Sequence, residues 1–314
     1  MTELELRSDT IVVRCRPEWG FVITAIEDPT SGADALWTRR GHQPADFVRS
    51  LGSPGEASVD QFLDRFVGGC FEMFPSAGLP GVVDGTSTFL HGEVAVLPWT
   101  VLSVGPTHVE SSVSTLRTSF EVVRRLEVSS DGLTLTSTIA NVGGEPAVYA
   151  WGFHPCFDRA TFAGGRIDVQ VAEASVPGPA YDPANSTLAA DRRFEWPRAA
   201  RADGSTEDLS GVPEAADGRH EHVCLQLAGG RMRIGAPRFD RTFTLEVETA
   251  VFPAVLLWQD FLAPGASFAG TADVFTLEPT TYLGRSMDDA VAADALRTLA
   301  PGEHASTTIR AAWS

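Results

Sequence analysis

Three short segments place an ionisable side chain among apolar neighbours: Phe89-Leu90-His91-Gly92-Glu93, Trp151-Gly152-Phe153-His154-Pro155-Cys156-Phe157 and Phe275-Thr276-Leu277-Glu278-Pro279-Thr280-Thr281. In the second and third, the ionisable residue stands directly before a proline. A proline ring disfavours the α region for the residue ahead of it, so His154 and Glu278 are expected in extended backbone, each at the end of an apolar strand. A strand end that opens into loops is a good place from which to project a side chain into a cleft. An imidazole with an ordinary pKa of ~6.5 delivers a proton near neutrality and a carboxylate accepts one, so the pair suits general acid–base chemistry. An unpaired carboxylate on an apolar strand is costly, which leaves Glu278 either an Arg partner or a place in a site.

The elements that must position these groups read as strands. Alternation of period two is clearest in Leu133-Thr134-Leu135-Thr136-Ser137-Thr138-Ile139, with turn formers at 141–146 and an aromatic, β-branched segment at 147–157 that reads as the returning arm of a hairpin. Further strand-like stretches fall at 10–14, 20–26, 94–104, 116–128, 166–172, 222–228, 242–249, 251–258, 271–277 and 305–311. Helical signals are confined to Ser58 to Arg65 and to Ser286 to Arg297, the latter opening on a Ser cap. Residues 174–221 lack sustained periodicity and read as long loops. The pattern predicts an all-β chain, residues 1–314 forming one domain built as a large antiparallel β-sandwich.

With these elements in order, the chain resembles the aldose 1-epimerase (galactose mutarotase-like) family. The resemblance is carried by Gly68-Gly69-Cys70-Phe71-Glu72-Met73-Phe74-Pro75, by Leu90-His91-Gly92 with Trp99 following, by His154-Pro155-Cys156-Phe157, by Leu277-Glu278-Pro279-Thr280, and by the closing turn Leu299-Ala300-Pro301-Gly302-Glu303. It implies a supersandwich whose concave face binds a pyranose, with His154 as general acid, Glu278 as general base and His91 as a second histidine on the sugar. The chain departs from the family pattern in Cys156, where an aromatic residue is frequent, and in the Gly78 to Thr88 segment, which has no Arg. The implied activity is that of an isomerase, a mutarotase interconverting α and β anomers by opening and reclosing the ring, without a cofactor. The alternative is a carbohydrate-binding or sensing protein of the same fold; glycoside hydrolysis, which wants two carboxylates flanking the bond, ranks behind both.

Other residues join the site as candidates. Glu72 is placed either at the sugar or in a buried ion pair. Trp151, Trp258 and Phe157 are candidates for an apolar platform beneath the ring, with core packing the competing fate. Gln259 and Asp260 stand at the end of an apolar run, where hydroxyl contacts compete with solvated loop positions. His220-Glu221-His222 reads as a solvated strand start rather than a metal motif, with no third ligand suggested.

A formal charge of -17 argues against nucleic acid and membrane surfaces as partners. Cys15, Cys70, Cys156 and Cys224 spell neither a zinc nor a redox motif and are expected as free thiols; no metal is called for. No dinucleotide or P-loop glycine motif is present. An acidic start, MTELELRSD, and the absence of a long apolar run suggest a cytoplasmic protein, monomer or homodimer, with a small-molecule sugar as substrate.

Overall fold

Alternation of buried and less buried residues along Phe120–Ser129, and from Leu133 onward in Gly132–Asn141, is the signature of strands with one face on a core. In the computed structural model, which describes residues 3–39, 41, 56–178, 182 and 184–314, these belong to a sixteen-stranded antiparallel sheet. Its strands are β1 (Leu4–Arg7), β2 (Val12–Arg16), β3 (Val22–Glu27), β4 (Cys70–Met73), β5 (Thr100–Val104), β6 (His108–Ser114), β7 (Phe120–Ser129), β8 (Gly132–Asn141), β9 (Gly152–Asp158), β10 (Ile167–Val176), β11 (Arg192–Phe194), β12 (His220–Ala236), β13 (Arg241–Glu246), β14 (Ala254–Phe261), β15 (Asp273–Thr280) and β16 (His304–Trp313). They pair in the order β1-β2-β3-β4-β9-β15-β14-β12-β13-β16-β8-β7-β6-β5, with β10 on β12 and β11 on β10. The sheet folds back on itself as a sandwich: the Arg7 amide donates to Pro106 O at 3.2 Å and Ser8 Oγ to Ser129 O at 2.8 Å, tying the first hairpin to the far end.

The central strands β14 and β15 are buried almost throughout because both of their faces are covered. One face packs into the main core with Trp151, Phe153, Phe157, Val255, Leu257, Phe275 and Leu277. The other lies under a second apolar cluster containing Phe71, Cys156, Trp258 and Phe268, together with Phe62 of helix α1 (Glu56–Arg65) and Phe66 just beyond it. A short helix α2 (Met287–Ala292) starts at the Ser286 cap, which forms a reciprocal capping box with Asp289.

Four expectations change. The segment after 146 does not return as a hairpin on β8, whose neighbours are β7 and β16; Ala147–Tyr149 pairs with Arg297–Leu299 and β9 lies between β4 and β15. The reason lies in β9 itself, which has no polar face to turn to solvent and therefore fits only a central position. Strand 94–104 shortens to β5, and 174–221 carries β11 and a small hairpin, Arg198–Ala200 with Thr206–Asp208. His154 and Glu278 do not end their strands but sit inside β9 and β15.

Candidate functional site

Register brings His154 and Glu278 together. Gly152 pairs with Thr280 and Cys156 with Thr276, so the residue between them on β9, His154, lies directly across from Glu278 on β15. Pro155 and Pro279 interrupt this seam because neither has an amide proton for the ladder. His154 Nε2 stands 3.3 Å from Glu278 Oε1, and both side chains are almost wholly buried. Phe71, the β4 partner of His154, stacks on the imidazole with centroids 4.7 Å apart and planes at 14°. Glu278 Oε1 also accepts a hydrogen bond from the Thr276 hydroxyl at 2.8 Å.

His91 approaches from the 88–99 loop. Its φ of 57° precedes Gly92 at φ 78°, where a Cβ would lie 2.3 Å from Phe74 O, so glycine is required for the loop to pass this close. The His91 ring stands edge-on to those of His154 and Phe62, at 4.9 and 4.8 Å between centroids. Trp258 and Phe268 form a further wall, and His220, His222 and Arg285 also line the cleft. The free space between these side chains is about 70 Å³, room for about two waters at ~30 Å³ each.

Burial dominates the electrostatics. It pushes the Glu278 carboxyl up to about 8, offset in part by the Thr276 hydrogen bond. It pulls the His154 imidazole down to about 3, offset in part by a hydrogen bond to its own backbone. His91 and His222 are held well below the usual histidine range, first by burial and then by neighbouring histidines. Burial thus favours a neutral pair, protonated on Glu278. Among the described residues, buried polar atoms without a hydrogen-bonding partner gather here: His91 Nδ1, both ring nitrogens of His220, Trp258 Nε1 and Glu278 Oε2. Such atoms are expensive in a dry interior and suit a site that receives a hydroxyl-rich ligand.

Of the residues singled out from the sequence, the structure brings His154, Glu278, His91 and Trp258 to one cleft. It takes Glu72, Trp151 and Gln259 elsewhere, and pleat parity is the reason. Glu72 is the partner of Phe153, on the face opposite Phe71 and His154; it pairs with buried Arg124 and accepts hydrogen bonds from Trp151 Nε1 and Ser137 Oγ. Trp151 and Phe157 share that core face. Gln259 alternates with Trp258 and is spent on Leu209 O, at 3.0 Å, and on Arg219.

Asp260 has the cleft-side parity of Trp258 and faces His220, Oδ2 to Nδ1 at 3.6 Å. His220 and His222 are buried, not solvated: two residues apart on β12, they share the cleft face, while Glu221 turns away to Ser186 and Thr187. That spacing was the available signal for them. A guanidinium also reaches the cleft, from Arg285 rather than from the 78–88 segment; Gly78, where a Cβ would meet Arg285 O at 2.4 Å, lets the two loops meet. Among the described residues no group of three or more His, Cys, Asp or Glu is arranged to hold a metal ion, and no helix is long and apolar enough to cross a membrane.

No family model and no curated relative matches the chain. Solved structures do. A protein from Escherichia coli K12 named as a candidate aldose 1-epimerase superposes with a TM-score of 0.70 at 18% identity, covering 100% of this chain and 99% of that one. A galactose mutarotase-like protein from Lactobacillus casei gives 0.66 at 14%, covering 100% of both chains. A candidate aldose 1-epimerase from Klebsiella pneumoniae gives 0.73 at 16%, over 98% of this chain and 77% of that one. The chain therefore has the galactose mutarotase-like sandwich fold.

Proposed function

We propose that this protein is an aldose 1-epimerase, an isomerase that interconverts the α and β anomers of a pyranose, with His154 as acid and Glu278 as base. The observation that carries the reading is the cross-strand pair itself: a proton donor and a proton acceptor 3.3 Å apart, in a cleft whose unpartnered polar atoms await hydroxyl groups. The fold it shares with galactose mutarotase-like proteins supports it.

In the ring-opening direction, His154 Nε2–H gives its proton to the ring oxygen while Glu278 takes the proton of the anomeric hydroxyl. The C1–O5 bond breaks, leaving an open-chain aldehyde, a neutral imidazole and a protonated carboxyl. Rotation about C1–C2 presents the other carbonyl face. On reclosure Glu278 returns its proton to the carbonyl oxygen and His154 recovers one from the C5 hydroxyl. The protonation that burial favours, on Glu278 rather than His154, is that of the open-chain stage. We read residues 1–314 as one such domain, cytoplasmic and acting on a small-molecule sugar.

The direct test follows interconversion of freshly dissolved aldoses by NMR with and without protein; because anomers equilibrate unaided, equal rates across a panel of aldoses would sink the assignment. The cycle needs one proton shared by the pair. Glu278 is raised to about 8 and His154 lowered to about 3, so that proton is present between these limits and lost as pH rises through about 8. The rate is expected to hold between the two limits and to fall about tenfold per pH unit above the upper one. A rate that climbs through that region would mean the shared proton is not used. Since ring opening requires only a proton donor and an acceptor, activity is also expected to survive EDTA. Loss of most activity, restored by one added ion, would assign the acid role to a metal.

A further inference from the structure

We propose that Cys156 is a positioning residue for His154: its sulfur engages Nδ1, fixes the proton there, and leaves Nε2 as the nitrogen that exchanges a proton with Glu278. The proposal rests on the acid–base reading of His154, and it concerns a residue that reading leaves without a role. Cys156 lies two positions along β9 and therefore on the same face as His154. Its Sγ is 3.4 Å from Nδ1, it is fully buried, and the opposite ring nitrogen faces Glu278 Oε1 at 3.3 Å. Stacking on Phe71 fixes the plane of the imidazole but not which nitrogen carries the proton. The sulfur and the carboxyl on either side decide that.

Burial, with Cys70 and Glu278 nearby, pushes the Cys156 thiol well above its usual range, so it stays neutral and is no competing base; with its S–H turned away from the ring, sulfur accepts weakly from Nδ1–H. The hydrogen bond from the ring to its own backbone acts in the same sense, holding a proton on the imidazole. With Nδ1–H satisfied, Nε2 is bare in the neutral ring. The carboxyl proton can then move from Glu278 to Nε2, giving imidazolium and carboxylate with no change in total protons. In the other tautomer Nε2 is already occupied and the relay is blocked. The titratable groups around the ring are Glu278, His91, Cys156 and, across the cleft, His222.

The test uses the full chain with isotope-labelled histidine ring nitrogens, His154 being assigned by the signal missing from His154→Asn. Long-range proton–nitrogen NMR near neutral pH reads the tautomer directly, whether or not any sugar is turned over. The wild type is expected to show Nδ1–H with bare Nε2. Cys156→Ala should move His154 to a tautomer mixture and lower kcat on the order of tenfold with KM within about twofold, while Cys156→Ser, which keeps an acceptor, should restore the tautomer and most of kcat. Cys156→Val, similar in size and without a hydrogen-bonding atom, gives the same comparison if alanine weakens the strand. A wild-type Nε2–H tautomer, or unchanged ring nitrogens in the alanine and valine variants, would overturn the proposal. An inactive wild type with the expected tautomer shifts would instead count against the epimerase reading alone.

Discussion

Glu278→Gln is expected to slow anomer interconversion by about 10²-fold or more while leaving sugar affinity within roughly tenfold. Glutamine keeps the acceptor for the Thr276 hydroxyl but cannot take a proton from the anomeric hydroxyl. His154→Asn should behave in the same way, since it preserves a donor that cannot protonate a ring oxygen. An undiminished rate on a competent sugar would remove Glu278 from the mechanism. The same variant carries a stability signature of known sign. A carboxyl raised to about 8 in the folded state contributes stability that is fully present below its ordinary value of 4.5 and is lost as pH rises through the folded value. Glutamine does not titrate, so its unfolding free energy should gain on the wild type across that window, by roughly 1.4 kcal/mol for each pH unit. A constant difference across pH would show that the carboxyl is not held protonated.

The second large effect concerns folding rather than turnover. Arg124→Met is expected to cost about 3–5 kcal/mol in urea unfolding, because it leaves the Glu72 carboxylate buried without its cation. Arg124 is fully buried; beyond Glu72 it donates to Phe21 O and lies over the rings of Phe21 and Trp99, each centroid 5.0 Å from its guanidinium carbon. The double replacement Arg124→Met with Glu72→Gln should recover part of the loss, which a double-mutant cycle would read as coupling. Glu72→Gln alone should move stability and not KM. A raised KM in a stable Glu72→Gln protein would return Glu72 to the sugar.

The sequence carried the strand pattern and the extended backbone at His154 and Glu278, because proline and period-two alternation act locally. It did not carry pairing. The Leu133 to Ile139 strand and the segment after 146 look like a hairpin from their turn residues alone, yet the second segment crosses to a different part of the sheet, a choice made by contacts far apart in the chain. Nor was Arg285 legible as a cleft residue, since its place depends on where the loop after β15 meets Gly78. The misplacement of Glu72, Trp151 and Gln259 is different in kind. Each sits one residue away from a cleft-side position, at Phe71, Gly152 and Trp258; parity counted along β9 from His154 sends Trp151 to the core, but for Glu72 and Gln259 it needs the register of β4 and β14, which is set by pairing. The same alternation puts His220 and His222, two apart on β12, on one face but does not say which face.

That parity has an evolutionary consequence. Along β9, β14 and β15, even-numbered positions face the cleft side and odd-numbered ones pack into the main core, so the same strands shape the cleft and hold the fold in alternate letters. Replacements at Leu256 or Trp258, which line the cleft, change its shape while Val255, Leu257 and Leu277 keep the scaffold intact. A lineage diverging in this fold could therefore reshape the cleft by drifting at every second residue, with its architecture conserved as its sequence identity erodes.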